Sequence, residues 1–164
     1  MHLLNPKRLN MQTTISPGQS IRQRYVAQKL NSLLDVMHES KRGYEVIASQ
    51  SSDRNFQRAL GGLAIECGQY INELTNQISS LGAKPIVNKT KDKYIWNQIS
   101  TNVKQQEDIL NACYGSERII LKAYREVLND PSVLNPLRQM ITYQLNGMKY
   151  AFVKVKLLNT AIHT

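Results

Sequence analysis

The chain has 164 residues and a net charge of +9, with 41% apolar and 20% charged positions. That composition fits one globular domain, whose core at this length buries roughly 70% of the unfolded surface without a metal or a disulfide staple. No apolar run approaches the roughly 18 residues of a membrane span, and Met1–Asn10 lacks a signal-peptide core, so a cytoplasmic protein is expected.

Residues 1–20 read as an irregular segment, with Ser16-Pro17-Gly18 as a turn, and residues 21–164 as the folded unit. A first long helix is expected from Ile21 to Ser49. Its apolar positions are Val26, Leu30, Leu33, Leu34, Met37, Tyr44, Ile47 and Ala48, at steps of three and four. Ser51-Ser52-Asp53 supplies N-cap oxygens for a second helix, because their side chains can accept the free amides of its first turn. That helix runs to about Leu81, with Phe56, Leu60, Leu63, Ala64, Cys67, Ile71, Leu74, Ile78 and Leu81 on one stripe. Gly61-Gly62 interrupts it. Each glycine costs about 1 kcal/mol relative to alanine, so close backbone packing against a neighbour is the expected compensation. Gly82 is a C-cap residue, and Pro85 ends any continuation.

Asp92 to about Thr101, carrying Tyr94, Ile95, Trp96 and Ile99, reads as a short extra helix in the link between helices two and three. The third long helix runs from about Lys104 to Leu128, and Asn129-Asp130-Pro131 stops it. The fourth runs from about Val133 to Ala161, with Leu137, Ile141, Leu145, Met148, Phe152, Val155 and Leu158 on its stripe. No alternating β-branched segment is present. The fold expected is an all-α, antiparallel four-helix bundle. The link from Gly82 to Gln105 fits either a crossover along the bundle or a looser turn.

Charge is unevenly placed. Residues 1–34 hold five basic side chains and no acid, and residues 131–164 hold four and no acid. In an up-down-up-down bundle these segments share one end. Arg22, Arg24, Lys29, Lys149, Lys154 and Lys156 would then form a basic patch able to attract nucleic acid or an anionic surface. The plainer expectation is a solvated face that keeps the protein soluble. Tyr25, Tyr143, Tyr150 and Phe152 are the only aromatics in those segments, and most are assignable to the core, so no single-strand stacking platform is expected. Cys67 and Cys113 fall on apolar faces and are expected as buried, reduced thiols.

Gly43-Tyr44-Glu45, Ala64-Ile65-Glu66, Asn72-Glu73-Leu74, Leu81-Gly82-Ala83-Lys84-Pro85 and above all Leu121-Lys122-Ala123-Tyr124-Arg125-Glu126-Val127-Leu128 carry a family likeness. Over roughly residues 28–160 the chain resembles a bacterial ferritin-like family of unknown function, the domain of unknown function 2383 type. The resemblance implies a fold similar to ferritins and related di-iron proteins.

A di-iron bundle needs a Glu from each of two helices and Glu-x-x-His from each of the other two. This sequence has no Glu-x-x-His, and its histidines are His2, His38 and His163. By the resemblance, Glu45, Glu66 and Glu117 match ligand positions, and Gln69 stands where the histidine partner of Glu66 would be. The fourth helix offers Gln144, Gly147 and Phe152, and no acid at all. Such a set can hold a divalent cation weakly at most. Glu117 lies on the stripe of Leu110, Cys113, Leu121 and Tyr124, so it is expected to be paired, by a salt bridge or by a Tyr or Gln across the core. Asp35 and His38 share a face with Glu39 and Arg42 and read as solvated. No hydrolase, nucleotide-binding or zinc motif is present.

The function expected is therefore non-enzymatic association or a stress-related role with a degenerate metal site and no tightly bound cofactor. A homo-oligomer, with a dimer favoured, is the expected partner state, and another protein partner is the next. A carboxylate-ligated metal protein and a binder of anionic partners are the alternatives.

Overall fold

The computed structural model describes residues 20–87 and 106–163, the side chains of 106 and 159–163 excepted. The N-terminal segment up to residue 19 and the expected short helix at Asp92–Thr101 lie outside the described residues. The elements are four helices, α1 Ile21–Gln50, α2 Arg54–Ser80, α3 Gln106–Leu128 and α4 Leu137–His163.

Local chemistry sets the helix ends. Ser20 caps α1: its hydroxyl accepts from the Gln23 amide, and the Gln23 side chain accepts from the Ser20 amide. Asp53 caps α2 by accepting from the amides of Asn55 and Phe56 at 2.8 and 3.0 Å. Gly82 ends α2 with φ at 79°, a left-handed conformation that a side chain would penalise. The exit strand of chain is then tied back to α1. Asn31 donates to the Lys84 carbonyl and accepts from the Ile86 amide. Between α3 and α4, Arg138 donates to the carbonyls of Leu128, Asp130 and Val133, and so satisfies the exposed end of α3.

The fourth helix begins at Leu137, not at Val133. Pro136 explains the difference, because the residue before a proline is disfavoured in helical geometry. Val133 is nevertheless buried, as part of the turn.

Packing runs α1 on α2, α2 on α4, α4 on α3 and α3 on α1. Thus α1 and α4 face each other across one diagonal, where Tyr44 meets Phe152 edge-on at 6.3 Å between ring centres. Residue pairs give the directions. Arg22 reaches the Ser132 carbonyl, Lys29 lies 3.9 Å from Asp130, and Asn31 holds residues 84–86. The start of α1, the end of α2, the end of α3 and the start of α4 therefore share one end of the bundle. The order is up-down-down-up, so every neighbouring pair is antiparallel. The chain between Val87 and Gln106 joins opposite ends, and this decides the topology in favour of a crossover. Those 18 residues can reach about 60 Å when extended, against about 40 Å for the length of α2.

The apolar stripes meet in one core that includes Leu30, Leu34, Met37, Phe56, Leu60, Leu74, Ile120, Met148 and Phe152. The Phe152→Ala change should cost about 3–5 kcal/mol, and Asp53→Ala about 1 kcal/mol. Urea denaturation checks both. Equal losses would mean that the diagonal contact does not anchor the core.

Candidate functional site

The middle of the bundle is polar in a restricted way. Gln144 on α4 is fully buried. Its Oε1 accepts from the Tyr124 hydroxyl and its Nε2 donates to Glu73 Oε1, both at 3.0 Å. One amide thus bridges α3, α4 and α2. Nearby, Ser116 donates to the Cys113 carbonyl at 2.8 Å, so the Tyr44 hydroxyl, 2.6 Å away, donates to Ser116. Burial raises the pKa of Tyr44 and Tyr124, and pushes the thiols of Cys67 and Cys113 up to about 12. These groups stay neutral at ordinary pH. They act as packing and hydrogen-bonding groups, with no nucleophile among them.

A groove of about 530 Å³ opens between α2 and α4, lined by Arg58, Gly62, Glu66, Tyr70, Tyr143 and Lys154 among others. Glu66 sits half-buried in it and accepts a hydrogen bond from Tyr70. Burial, followed by this bond, raises the Tyr70 pKa. Gly147 makes the arrangement possible. A Cβ there would lie 1.8 Å from the Tyr70 hydroxyl and 3.3 Å from Glu66 Oε2.

The residues expected as ligands do not converge. Glu45 is exposed and paired with Lys41. Gln69 is exposed on the outer side of α2. Glu117 is mostly buried and bonded to Lys156, at 2.8 Å from Oε1 and 2.9 Å from Oε2. The partner of Glu117 is thus a lysine, not a Tyr or Gln. Glu66 and Gln144 approach the same region, where the remaining acid is Glu73. The described residues include no group of three or more His, Cys, Asp or Glu side chains that could hold a metal. The donor set does not fit a di-iron centre, because the middle holds Tyr44, Tyr124, Phe152 and a doubly bonded amide.

The six expected basic residues divide between two regions. Arg22, Arg24 and Lys29 lie at the end where α1 begins. Lys149, Lys154 and Lys156 run along α4 away from that end, since α4 is parallel to α1. Lys156 is also occupied by Glu117. The single patch expected from up-down-up-down order is therefore not formed.

Sequence reasoning missed Glu73 and misplaced several other residues. Glu73 lies seven residues after Glu66, two helical turns along the same side, and that spacing was the available signal. Asp35 and His38 were expected on a solvated face shared with Glu39, but Glu39 is 1% exposed and His38 is partly buried, which lowers its pKa. Most of the four aromatics of the terminal segments were expected in the core, but Tyr25, Tyr143 and Tyr150 are exposed and Phe152 alone is buried.

The His38 shift gives a pH dependence. Its folded pKa lies below the ordinary value of 6.5, so its contribution to stability is present above pH 6.5 and falls as acid protonates it. Replacement by Asn should remove part of the acid-side slope in a pH series of melts. Gly147→Ala should lower stability by displacing Tyr70, and Gly147→Ala with Tyr70→Phe should recover much of the loss. If the single and double variants melt alike, Gly147 is not making room for that hydroxyl.

A family model described as a domain of unknown function (DUF2383) matches residues 25–130. Comparison with curated proteins gives no match. Among solved structures, the crystal structure of the DPS protein from Vibrio cholerae O1, described as a member of a broad superfamily of ferritin-like diiron-carboxylate proteins, superposes with a TM-score of 0.67. Identity is 13%, and the match covers 91% of this chain and 97% of that one. At that identity the likeness speaks for the fold, a ferritin-like four-helix bundle. The family match extends over more than half the chain, and the chain belongs to the DUF2383 family of unknown function.

Proposed function

We propose that this bundle works by association and not by chemistry in its interior, and that its first associate is a second copy of itself. One observation carries the reading. Gly61 and Gly62 have nothing within 4 Å of the position a Cβ would take. The close packing that their spacing predicts is therefore not supplied by the described residues. Two mid-helix glycines together cost about 2 kcal/mol, and a second backbone approaching closely would offset that. Ile65, one turn on, is 73% exposed and offers the apolar contact.

Charge supports an antiparallel, two-fold arrangement of α2 against its copy. Arg54 and Arg58 lie before the glycines, and Glu66 and Glu73 lie after them. A two-fold axis beside Ile65 sets Arg58 of one copy at the level of Glu73 of the other, and Gln69 at the level of Gly62. Such an interface is self-complementary, as two-fold symmetry requires. No catalytic role is assigned to any residue.

Light scattering from about 1 to 100 μM should give twice the mass of the chain, with dissociation toward the dilute end. Gly62→Leu should return the protein to a single-chain mass without unfolding it, since a Cβ there meets no described atom within 4 Å and leucine favours the helix. A single-chain mass throughout, or a dimer indifferent to Gly62→Leu, contradicts this reading.

A further inference from the structure

Helix α4 carries two apolar faces, and the described residues of the bundle cover one. The inner face, Ile141, Leu145, Met148, Phe152 and Val155, is buried with Gln144. The outer face consists of Tyr143, Asn146, Tyr150, Val153 and Leu157. These follow at steps of three, four, three and four, the spacing of a coiled-coil seam. At 3.6 residues per turn they fall within about 80° of arc. Four of the five are large apolar residues, with exposures of 64% for Tyr143, 66% for Tyr150, 45% for Val153 and 62% for Leu157. Tyr143 touches Tyr70 edge-on, and Lys154 lies 4.9 Å over the Tyr150 ring, so the seam is shaped but uncovered by the described residues.

The flanks of the seam are charged with one sign. Lys149 lies on one side and Lys154 on the other, both exposed. Arg58 of α2 lines the groove beside Lys154. Glu66 is deeper in that groove, where Tyr70 holds it. Lys156 is taken by Glu117. There is no acid on α4.

In a coiled coil the residues flanking the seam select the partner by charge. A second α4 would bring Lys149 and Lys154 against themselves, so this face is not where two copies meet. A membrane-surface helix presents a broader apolar face than an arc of about 80°. We infer that the outer seam of α4 docks an acidic amphipathic helix of another protein, with apolar residues at three- and four-residue spacing and Glu or Asp beside them. This surface adjoins the α2 face assigned to self-association, because Arg58, Gly62 and Ile65 line the same groove as Tyr143, Tyr150 and Lys154; Gly62→Leu tests the one reading, and the α4 variants below test the other.

The probe is a synthetic four-heptad peptide with leucine at both seam positions and glutamate at both flanking positions. Its controls are a scrambled peptide of the same composition, a lysine-flanked version and anionic phosphatidylglycerol vesicles. Fluorescence anisotropy on protein of measured native mass should show saturable binding of the acidic heptad peptide that weakens as salt rises. Tyr150→Ser with Leu157→Ser should weaken it at least tenfold. Lys149→Glu with Lys154→Glu should do the same and should create binding of the lysine-flanked peptide. All four positions are exposed, so unchanged circular dichroism melts are expected and separate lost docking from lost folding. Absence of saturable binding, equal binding of the scrambled peptide, indifference to both variants, or binding of the vesicles in place of the peptide would each overturn the inference.

Discussion

The arrangement turns on the burial of one amide. Gln144 has no contact with solvent, and both its polar atoms are satisfied, one by Tyr124 and one by Glu73. An unsatisfied buried donor or acceptor costs about 1–3 kcal/mol, so a slip of α4 along either neighbour is penalised at two points at once. Apolar stripes alone tolerate such slips far better. The amide therefore fixes the register of α4 against α2 and α3. From that register follow the seat of the Tyr70 hydroxyl over Gly147, the meeting of Lys156 with Glu117, and the outward direction of Tyr143 and Tyr150.

The same constraint separates this interior from the carboxylate cluster of di-iron bundles. Acids are present near the middle, but each has other work. Glu117 is neutralised by a lysine from the helix that would have to contribute ligands. Glu73 accepts from an amide, and Glu66 accepts from a tyrosine. A buried charge needs such partners, and once they are in place little is left to hold a cation. On the function proposed above, the interior serves stability and specificity of packing, and the surface acts, with α2 offering glycines and an isoleucine and α4 offering a seam edged with lysine.

Much of the fold was legible in the sequence because burial follows three- and four-residue spacing, which survives in any bundle order. The stripes of α2 and α4 fall where the spacing put them, and Asp53 and Gly82 cap as their chemistry requires. What spacing does not encode is direction. The link after Gly82 suits a turn or a crossover equally by length, and only contacts such as Arg22 with Ser132 resolve it. Helix direction is what divides the expected basic patch, and the pairing of Lys156 with Glu117 removes one more of its members. Glu73 and Gln144 lie 71 residues apart, and no local pattern joins them. The face of Asp35 and His38 was expected in solvent because it carries Glu39 and Arg42, yet Glu39 is buried beside Ser40 and Gly43. Tyr143 and Tyr150 were misplaced for the converse reason, since a helix with two apolar faces gives no sign of which one a single chain will bury.

The central claim is that the polar interior is a register device and not a reaction centre. Titration of the purified protein with ferrous and manganous ions, followed by elemental analysis after desalting, tests it most directly. The account predicts far less than one ion retained per chain, with the same trace in Glu66→Ala and Glu73→Ala. One or two ions retained per chain, and lost in those two variants, would contradict it.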